Sequence, residues 1–425
     1  MSRWAPRLCG ALALLSGVVA CNAIVGVETV KLKKTFEIDG GEEEDTGIPP
    51  PDDDGGPTDP NELEVALGTS FTCARKPDGT VRCWGDDTSG QLGAGLSFDG
   101  GTRPPATSPQ PVVGVSDARR IAAGARHACI VRTSGQASCW GDGVNGQLGN
   151  AQSNARSAVP VTVVGLGDAT RIAAGGNFTC AVRRGGDVAC WGGNTSGQLG
   201  TGNRDERNSP TAVASLNTAA DISAGEAHAC AVTTSGAVFC WGDNLNGQLG
   251  NGRVEPAGQS RPVSVPGLSD IVQVSAAARS TCALERGGAV SCWGANESGQ
   301  LGTGAPNQNP NPSPALVPGI SDAVSIWAGD DHACAARRTG AVVCWGASGK
   351  GQIGAGPTVD GAAPVASPLP VAGIGNAIAV STGGAHSCAP LESGAIFCWG
   401  ENDRGQLGDR SQQNAFSPVA VRGYP

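Results

Sequence analysis

Gly225-Glu226-Ala227-His228-Ala229-Cys230-Ala231-Val232, then a Ser235-Gly236 turn, then Val238-Phe239-Cys240-Trp241-Gly242-Asp243-Asn244-Leu245-Asn246-Gly247-Gln248-Leu249-Gly250, is the stretch that decides the fold. Two short runs of small, β-branched and aromatic residues flank a turn, and glycine-bounded loops follow. That is a β-hairpin, too short to be stable alone. The stretch recurs, however. A cysteine, nine residues and Cys-Trp-Gly appear at Cys73 and Cys83, Cys129 and Cys139, Cys180 and Cys190, Cys230 and Cys240, Cys282 and Cys292, Cys334 and Cys344, and Cys388 and Cys398, with a period of 50 to 56 residues. Seven units of one supersecondary type make a repeat array.

Outward from the hairpin, each unit has room for two more strands. Before Ser280–Leu284 and Val290–Trp293 stand Pro262–Val265 and Ile271–Val274. Four short strands per period of about 50, without helical spacing, describe a propeller blade. The expectation is an all-β, seven-bladed β-propeller of four-stranded blades. Six units open with a proline-led strand, expected at the blade edge since proline cannot donate to a ladder, and every blade is expected to carry its cysteines on the third and fourth strands. The first unit lacks the proline-led strand, whereas the C-terminal Ser417-Pro418-Val419-Ala420-Val421 is a spare copy. The ring is therefore expected to close with the C-terminal strand completing blade one.

Stretches such as Gly225–Val232 and Gly236–Gly250 resemble the regulator-of-chromosome-condensation repeat. The resemblance covers about 360 residues and implies a seven-bladed propeller. Nuclear members imply nucleotide exchange on a small GTPase. A secreted β-lactamase inhibitory protein of the same repeat type implies extracellular protein binding. The paired cysteines depart from the nuclear pattern.

Those fourteen cysteines are expected to form one disulfide in each blade, because residues opposed across a hairpin come within reach of a bridge. Zinc sites pair cysteines two to four residues apart, which nine-residue spacing does not match. Such bridges belong to an oxidising compartment. The N-terminus points there too. Arg3 and Arg7 precede an apolar Leu8–Val19, and Val18-Val19-Ala20-Cys21 resembles a lipobox. Residues 1–20 read as a lipoprotein signal peptide, with Cys21 the lipidated residue. Residues 21–61 hold Glu42-Glu43-Glu44-Asp45, three consecutive prolines and Asp52-Asp53-Asp54, and read as a disordered acidic tether. Residues 62–425 are the propeller. The location so implied is the bacterial cell envelope, at the outer membrane, facing periplasm or exterior.

The net charge of −9 belongs to the tether. Residues 1–64 hold 13 of 38 acidic and 5 of 29 basic residues, leaving 25 acids against 24 bases beyond. A near-neutral domain lacks the basic footprint that duplex binding requires, so no nucleic-acid partner is expected.

Candidates for chemistry are few. His127, His228, His332 and His386 all stand two residues before the first cysteine of a unit, a place held by Phe71, Phe178 and Ser280 elsewhere. A base or ligand position would not interchange with phenylalanine, so these histidines are expected to pack and bond within their blades. The Gly-Gln-Leu-Gly runs lack the helix and Lys-Ser/Thr of a phosphate loop; their glycines serve turns and their glutamines bond loop backbone. The Cys-Trp tryptophans read as packing residues. Neither a metal nor another cofactor is expected. Loops that differ between blades are the binding candidates: Phe98 and Arg103 in the long first loop, Arg204 and Arg207 in the third. Trp327 breaks the repeat at a position held by small residues, and either fills a gap or offers a contact near the axis. The sequence thus reads as an envelope-anchored, secreted protein-recognition or scaffold module with an unknown protein partner. The alternative is a lyase or hydrolase with its site at the central channel, marked by non-repeating polar residues there.

Overall fold

In the computed structural model residues 62–96, 103–153, 155–357 and 363–424 are described. The signal segment, Cys21, the tether and Phe98 lie outside them. The described residues form seven four-stranded antiparallel sheets and no helix. Blade four shows the plan: Ala219–Ala224, His228–Thr233, Val238–Asn244 and Glu255–Ser264, paired in chain order. Successive first strands touch one another round the ring, and Glu64–Leu67 of blade one meets Ser381–Thr382 of blade seven.

The expected frame of the blade is displaced by one strand. The proline-led segment does not open a sheet; it pairs with the preceding Cys-Trp strand and ends that sheet, as Phe239 with Ser264 and Phe397 with Ala420 show. The C-terminal strand Ala415–Ala420 completes blade seven, not blade one, whose fourth strand is Ala106–Pro111. The reason is local. The glycine-rich loop after each Cys-Trp strand folds the chain back onto the open edge beside it, the shortest route to satisfying that strand's backbone groups. The prolines do lie on edge strands.

The same displacement corrects the place of the cysteines. Cys73, Cys129, Cys180, Cys230, Cys282, Cys334 and Cys388 stand on the second strands of their blades, not the third. Their partners Cys83, Cys139, Cys190, Cys240, Cys292, Cys344 and Cys398 stand on the third strands, not the fourth. The pairing itself is the expected one. Cys73 with Cys83, Cys129 with Cys139, Cys180 with Cys190, Cys230 with Cys240, Cys282 with Cys292, Cys334 with Cys344 and Cys388 with Cys398 lie directly opposite each other in register. Their Cα atoms are 4.0–4.1 Å apart, and each pair is joined as a disulfide.

Two edge strands are longer than the sequence suggests. Glu255–Ser264 and Asn307–Leu316 have 10 residues each, where most others have six. Asn307-Gln308-Asn309-Pro310-Asn311 has no apolar alternation and reads as loop. Side chains supply what hydrophobic pattern does not: Asn311 Nδ2 donates to Gly294 O at 3.1 Å, and Asn244 Nδ2 to Glu255 Oε2 at 3.2 Å.

The core lies between blades. The Cys230–Cys240 bridge of blade four packs with Val232 and Leu249 against Val274, Ala283 and Trp293 of blade five. At the seam, Cys388, Cys398 and Tyr424 pack against Leu67 and Trp84.

Candidate functional site: the loop face and the central channel

Strand direction sorts the functional candidates onto two faces. First and third strands run one way, second and fourth the other. Loops after the third strand therefore share a face with the turns that end the first strands. Links between blades and the cysteine hairpin turns share the opposite face.

On the loop face the Gly-Gln-Leu-Gly runs clasp the neighbouring blade. Each glutamine Oε1 accepts the amide two residues earlier at 2.7–2.9 Å, as Ser89 to Gln91. Each glutamine carbonyl accepts the indole N–H of the next blade's tryptophan at 2.9–3.0 Å, from Trp140 on Gln91 O round to Trp84 on Gln406 O. All seven of these tryptophans are buried. The closing glycine lies against the same ring: a Cβ on Gly149 would stand 2.6 Å from Trp191 Nε1.

The histidines bond between blades, which corrects the expectation of contacts within a blade. His127 Nε2 meets Thr179 Oγ1 at 2.9 Å, His228 meets Thr281 at 2.9 Å, His332 meets Ser387 at 2.8 Å, and His386 meets Thr72 at 2.9 Å. These hydroxyls donate onward to glutamine carbonyls, as Thr281 to Gln248 O at 2.8 Å. The imidazole Nε2 is thus the protonated nitrogen. Burial pulls all four side chains down, to about 4 for His127 and His332 and about 3 for His228 and His386. They are neutral structural groups and none lines the channel.

The variable loops hold their named residues differently. Arg103 is largely covered and pairs with Asp87 at 2.8 Å, tying the long first loop to the Gly-Gln-Leu-Gly turn. Burial raises the Asp87 carboxyl against the pull of the Leu92 amide and Arg103. Arg204 donates to Thr195 O at 2.7 Å and reaches Ala257 O on blade four. Arg207 pairs with Asp205 at 3.2 Å at the surface. Leu245 stands 54% exposed on this face, with Val254 exposed beside the long edge strand of the same blade.

Along the axis runs a cavity of about 630 Å³, walled by the first strands. Trp327 is on this wall, 37% exposed, so it marks the axis and does not plug a gap. At one register position successive first strands carry Glu64, Arg120, Arg171 and Asp221, then Gln273, Ser325 and Ala379. The residue that follows is aliphatic in every one of these strands: Val65, Ile121, Ile172, Ile222, Val274, Ile326 and Val380. Gln273 spans to blade six, accepting Ile326 N at 3.0 Å and donating to Ile326 O at 2.8 Å. Burial pushes Asp221 up against the pull of Arg171 and of the Ile222 and Val274 amides. At the loop-face end stands Asp330, raised to about 6 by burial and by Asp331 and Glu226. The channel thus carries two cations and two carboxylates at one register and further carboxylates, Glu226 and Asp330, at its loop-face end. Sequence reading missed this set because each strand contributes one residue, and only the register aligns them. Among the described residues no three His, Cys, Asp or Glu side chains cluster to hold a metal.

Comparison with known proteins agrees with this geometry. The RCC1-like domain model matches residues 25–323, and the regulator of chromosome condensation (RCC1) repeat matches 323–352, 377–406 and 393–425. The ultraviolet-B receptor UVR8 of Arabidopsis thaliana is 31% identical over 430 residues, 97% of this chain and 80% of the receptor. The human E3 ubiquitin-protein ligase HERC2 is 28% identical over 84% of this chain, which spans only 6% of that ligase. Yeast RCC1 (Prp20), solved bound to Kap60, has a TM-score of 0.73 at 19% identity over 84% of this chain and 85% of that one. Human WBSCR16 has a TM-score of 0.70 at 20% identity over 81% and 94%. With seven blades, their tryptophan clasps and these matches together, the chain belongs to the RCC1-like propeller family.

Proposed function

We propose that this chain is an exported, lipid-anchored propeller that recognises a protein partner through its loop face. One observation carries the reading: the structural clasps repeat almost without change round the ring, while the loops that differ between blades all emerge on one side. Blades four and five lengthen their edge strands on that side, and Leu245 offers an uncovered apolar side chain there. Isolated exposed leucines are ordinary, so it is the coincidence with variable loops that gives Leu245 weight. Support for export comes from the Arg3, Arg7 and Leu8–Val19 segment, from Cys21 and from the paired cysteines, which suit an oxidising compartment.

A photo-crosslinking residue placed at Leu245, and separately at Val164 on the link face, tests recognition in the native host. A discrete protein adduct is expected from position 245 alone. Equal adducts from both positions, or none from 245, would overturn the reading. Fractionation of Cys21→Ser tests the anchor separately. The variant should leave the membrane fraction, and its retention there would refute lipidation.

A further inference from the structure

Two buried arginines of this propeller differ in how their charge is met. Arg75 is fully buried and well supplied: its Nε meets Glu64 Oε2 at 3.1 Å, and its other nitrogens donate to Glu62 O at 2.7 Å and Lys76 O at 3.2 Å. Arg120 is 4% exposed, yet among the described residues it makes one long bond, to Arg119 O at 3.4 Å, and no ion pair. Glu64, the carboxylate that acts on it most, is held by Arg75. A buried guanidinium with so little compensation is costly to hold in a folded protein. Arg120 also lines the axial cavity. Beside it, at the same register on the adjoining first strand, Arg171 lines the cavity too, and each cation raises the cost of the other.

The opposite wall is as unusual. In a ring of seven, blade six faces the gap between blades two and three. Blade six carries Trp327, where the matching positions of other first strands hold alanine or serine. Between arginines and indole the walls are mixed, with Val65, Ile172 and Val274 beside Asp221, Gln273 and Ser325. The volume of about 630 Å³ is that of a small-molecule site. At the arginine register Glu64 is held by Arg75 and burial pushes the Asp221 carboxyl toward its neutral form, which leaves Arg120 as the poorly met charge, while Glu226 and Asp330 stand at the far end.

We propose that the central channel binds a small organic acid with a flat apolar body, its carboxylate between Arg120 and Arg171 and its body against Trp327. A carboxylate gives a guanidinium fork two parallel bonds, and the indole face suits a planar group. The site is independent of the loop-face reading.

The test uses the full chain with disulfides intact. The probes are 2-naphthoate, its neutral counterpart naphthalene-2-methanol, and inorganic sulfate. Calorimetry should show 2-naphthoate binding at least tenfold more tightly than the alcohol or sulfate, with quenching of indole fluorescence that is absent in W327F. Arg120→Gln should weaken binding at least tenfold. Without ligand its melting temperature should be equal to or above that of the parent, because an uncompensated charge has been removed. A purely structural arginine would lower it. Arg171→Lys, which keeps the charge but loses the fork, should weaken binding and remain folded by near-ultraviolet circular dichroism. Absence of 2-naphthoate binding, equal binding of the alcohol, or unchanged affinity in R120Q would overturn the proposal. Sulfate matching 2-naphthoate, with W327F unaffected, would overturn the organic-acid assignment in favour of a plain anion.

Discussion

At the scale of single residues, the interface between blades follows a pairing rule written in the chain itself. Where the position before the cysteine hairpin is histidine, the next blade offers a hydroxyl: His127 with Thr179, His228 with Thr281, His332 with Ser387, His386 with Thr72. Where it is Phe71, Phe178 or Ser280, the next blade offers Ala128, Ala229 or Ala333 at the matching place. A second rule links the same ring to a glycine three residues earlier. A Cβ on Gly225 would lie 2.8 Å from His228 Cε1, and one on Gly68 would lie 2.1 Å from Phe71 Cε1. In blade five the small Ser280 coincides with Ala277 in place of glycine. Ser280→His alone should therefore overpack, destabilising by about 2 kcal/mol. The triple variant A277G/S280H/A333T should recover most of that loss in urea denaturation. Failure of the triple to improve on the single would refute the rule.

The same histidines fix the acid response. Their native values lie near 3 to 4, below the unfolded value of about 6.5. Above pH 6.5 both states are neutral and the full stability is present. As pH falls from 6.5 toward 4 the unfolded chain takes up protons that the native chain refuses, and stability is lost. At pH 5 this amounts to about 2 kcal/mol per histidine. Asp330, raised to about 6, and Asp87 and Asp221, both raised by burial, work the other way, three carboxyls against four histidines. Melting temperature should thus fall steadily below pH 6.5. In H228F/T281A, which copies the Phe178–Ala229 pair, that fall should shrink by about a quarter. Parallel curves for parent and variant would contradict the assignment.

At the scale of elements, the cysteine hairpin was legible because its residues are adjacent in sequence and repeat seven times. The blade boundary was not. Periodicity shows that four strands recur but not which strand begins a sheet, and only the pairing of Phe239 with Ser264 sets the frame. The extended edge strands were hidden because asparagine side chains, not apolar alternation, hold them. The channel arginines were hidden because Arg120 and Arg171 are 51 residues apart and meet only through the register of separate strands. Each disulfide closes a loop of about 11 residues, for which chain entropy assigns about 3 kcal/mol. Replacing Cys230 and Cys240 together by alanine should cost about that much, less any relief from the extra unfolded-state freedom being partly restrained by neighbouring bridges. Chemical denaturation of the double variant would read it directly. An unchanged midpoint would mean that the bridge is not formed in the native protein.

At the scale of the whole molecule, the question is what holds the last blade to the first. No sheet is shared across the seam, since each blade is continuous in sequence. The seam has the clasp of the other six interfaces, Trp84 on Gln406 O at 2.9 Å, and the hydroxyl bonds that three of those six share, Thr72 on the same carbonyl at 2.9 Å and His386 on Thr72. Tyr424 takes the place of the aliphatic links Val115, Leu166, Leu216, Leu268, Ile320 and Ile374, with its ring centroid 6.0 Å from that of Trp84. Since the seam is built from the same parts as the interfaces within the chain, the position of the chain break should be arbitrary as long as it falls between blades. A circular permutant that joins residue 424 to residue 62 through a short Gly-Ser linker and opens at the Leu268–Ser269 link leaves every sheet intact. It should melt within about 4 °C of the parent, because a few kcal/mol at most are redistributed. A second permutant, opened at Ser235–Gly236, cuts a hairpin of blade four and leaves its cysteine bridge to hold the halves. It should melt clearly lower, and lower again under reducing conditions. Equal melting of the two permutants would show that the sheet is not the unit of closure, and that the seam differs in kind from the six interfaces it resembles.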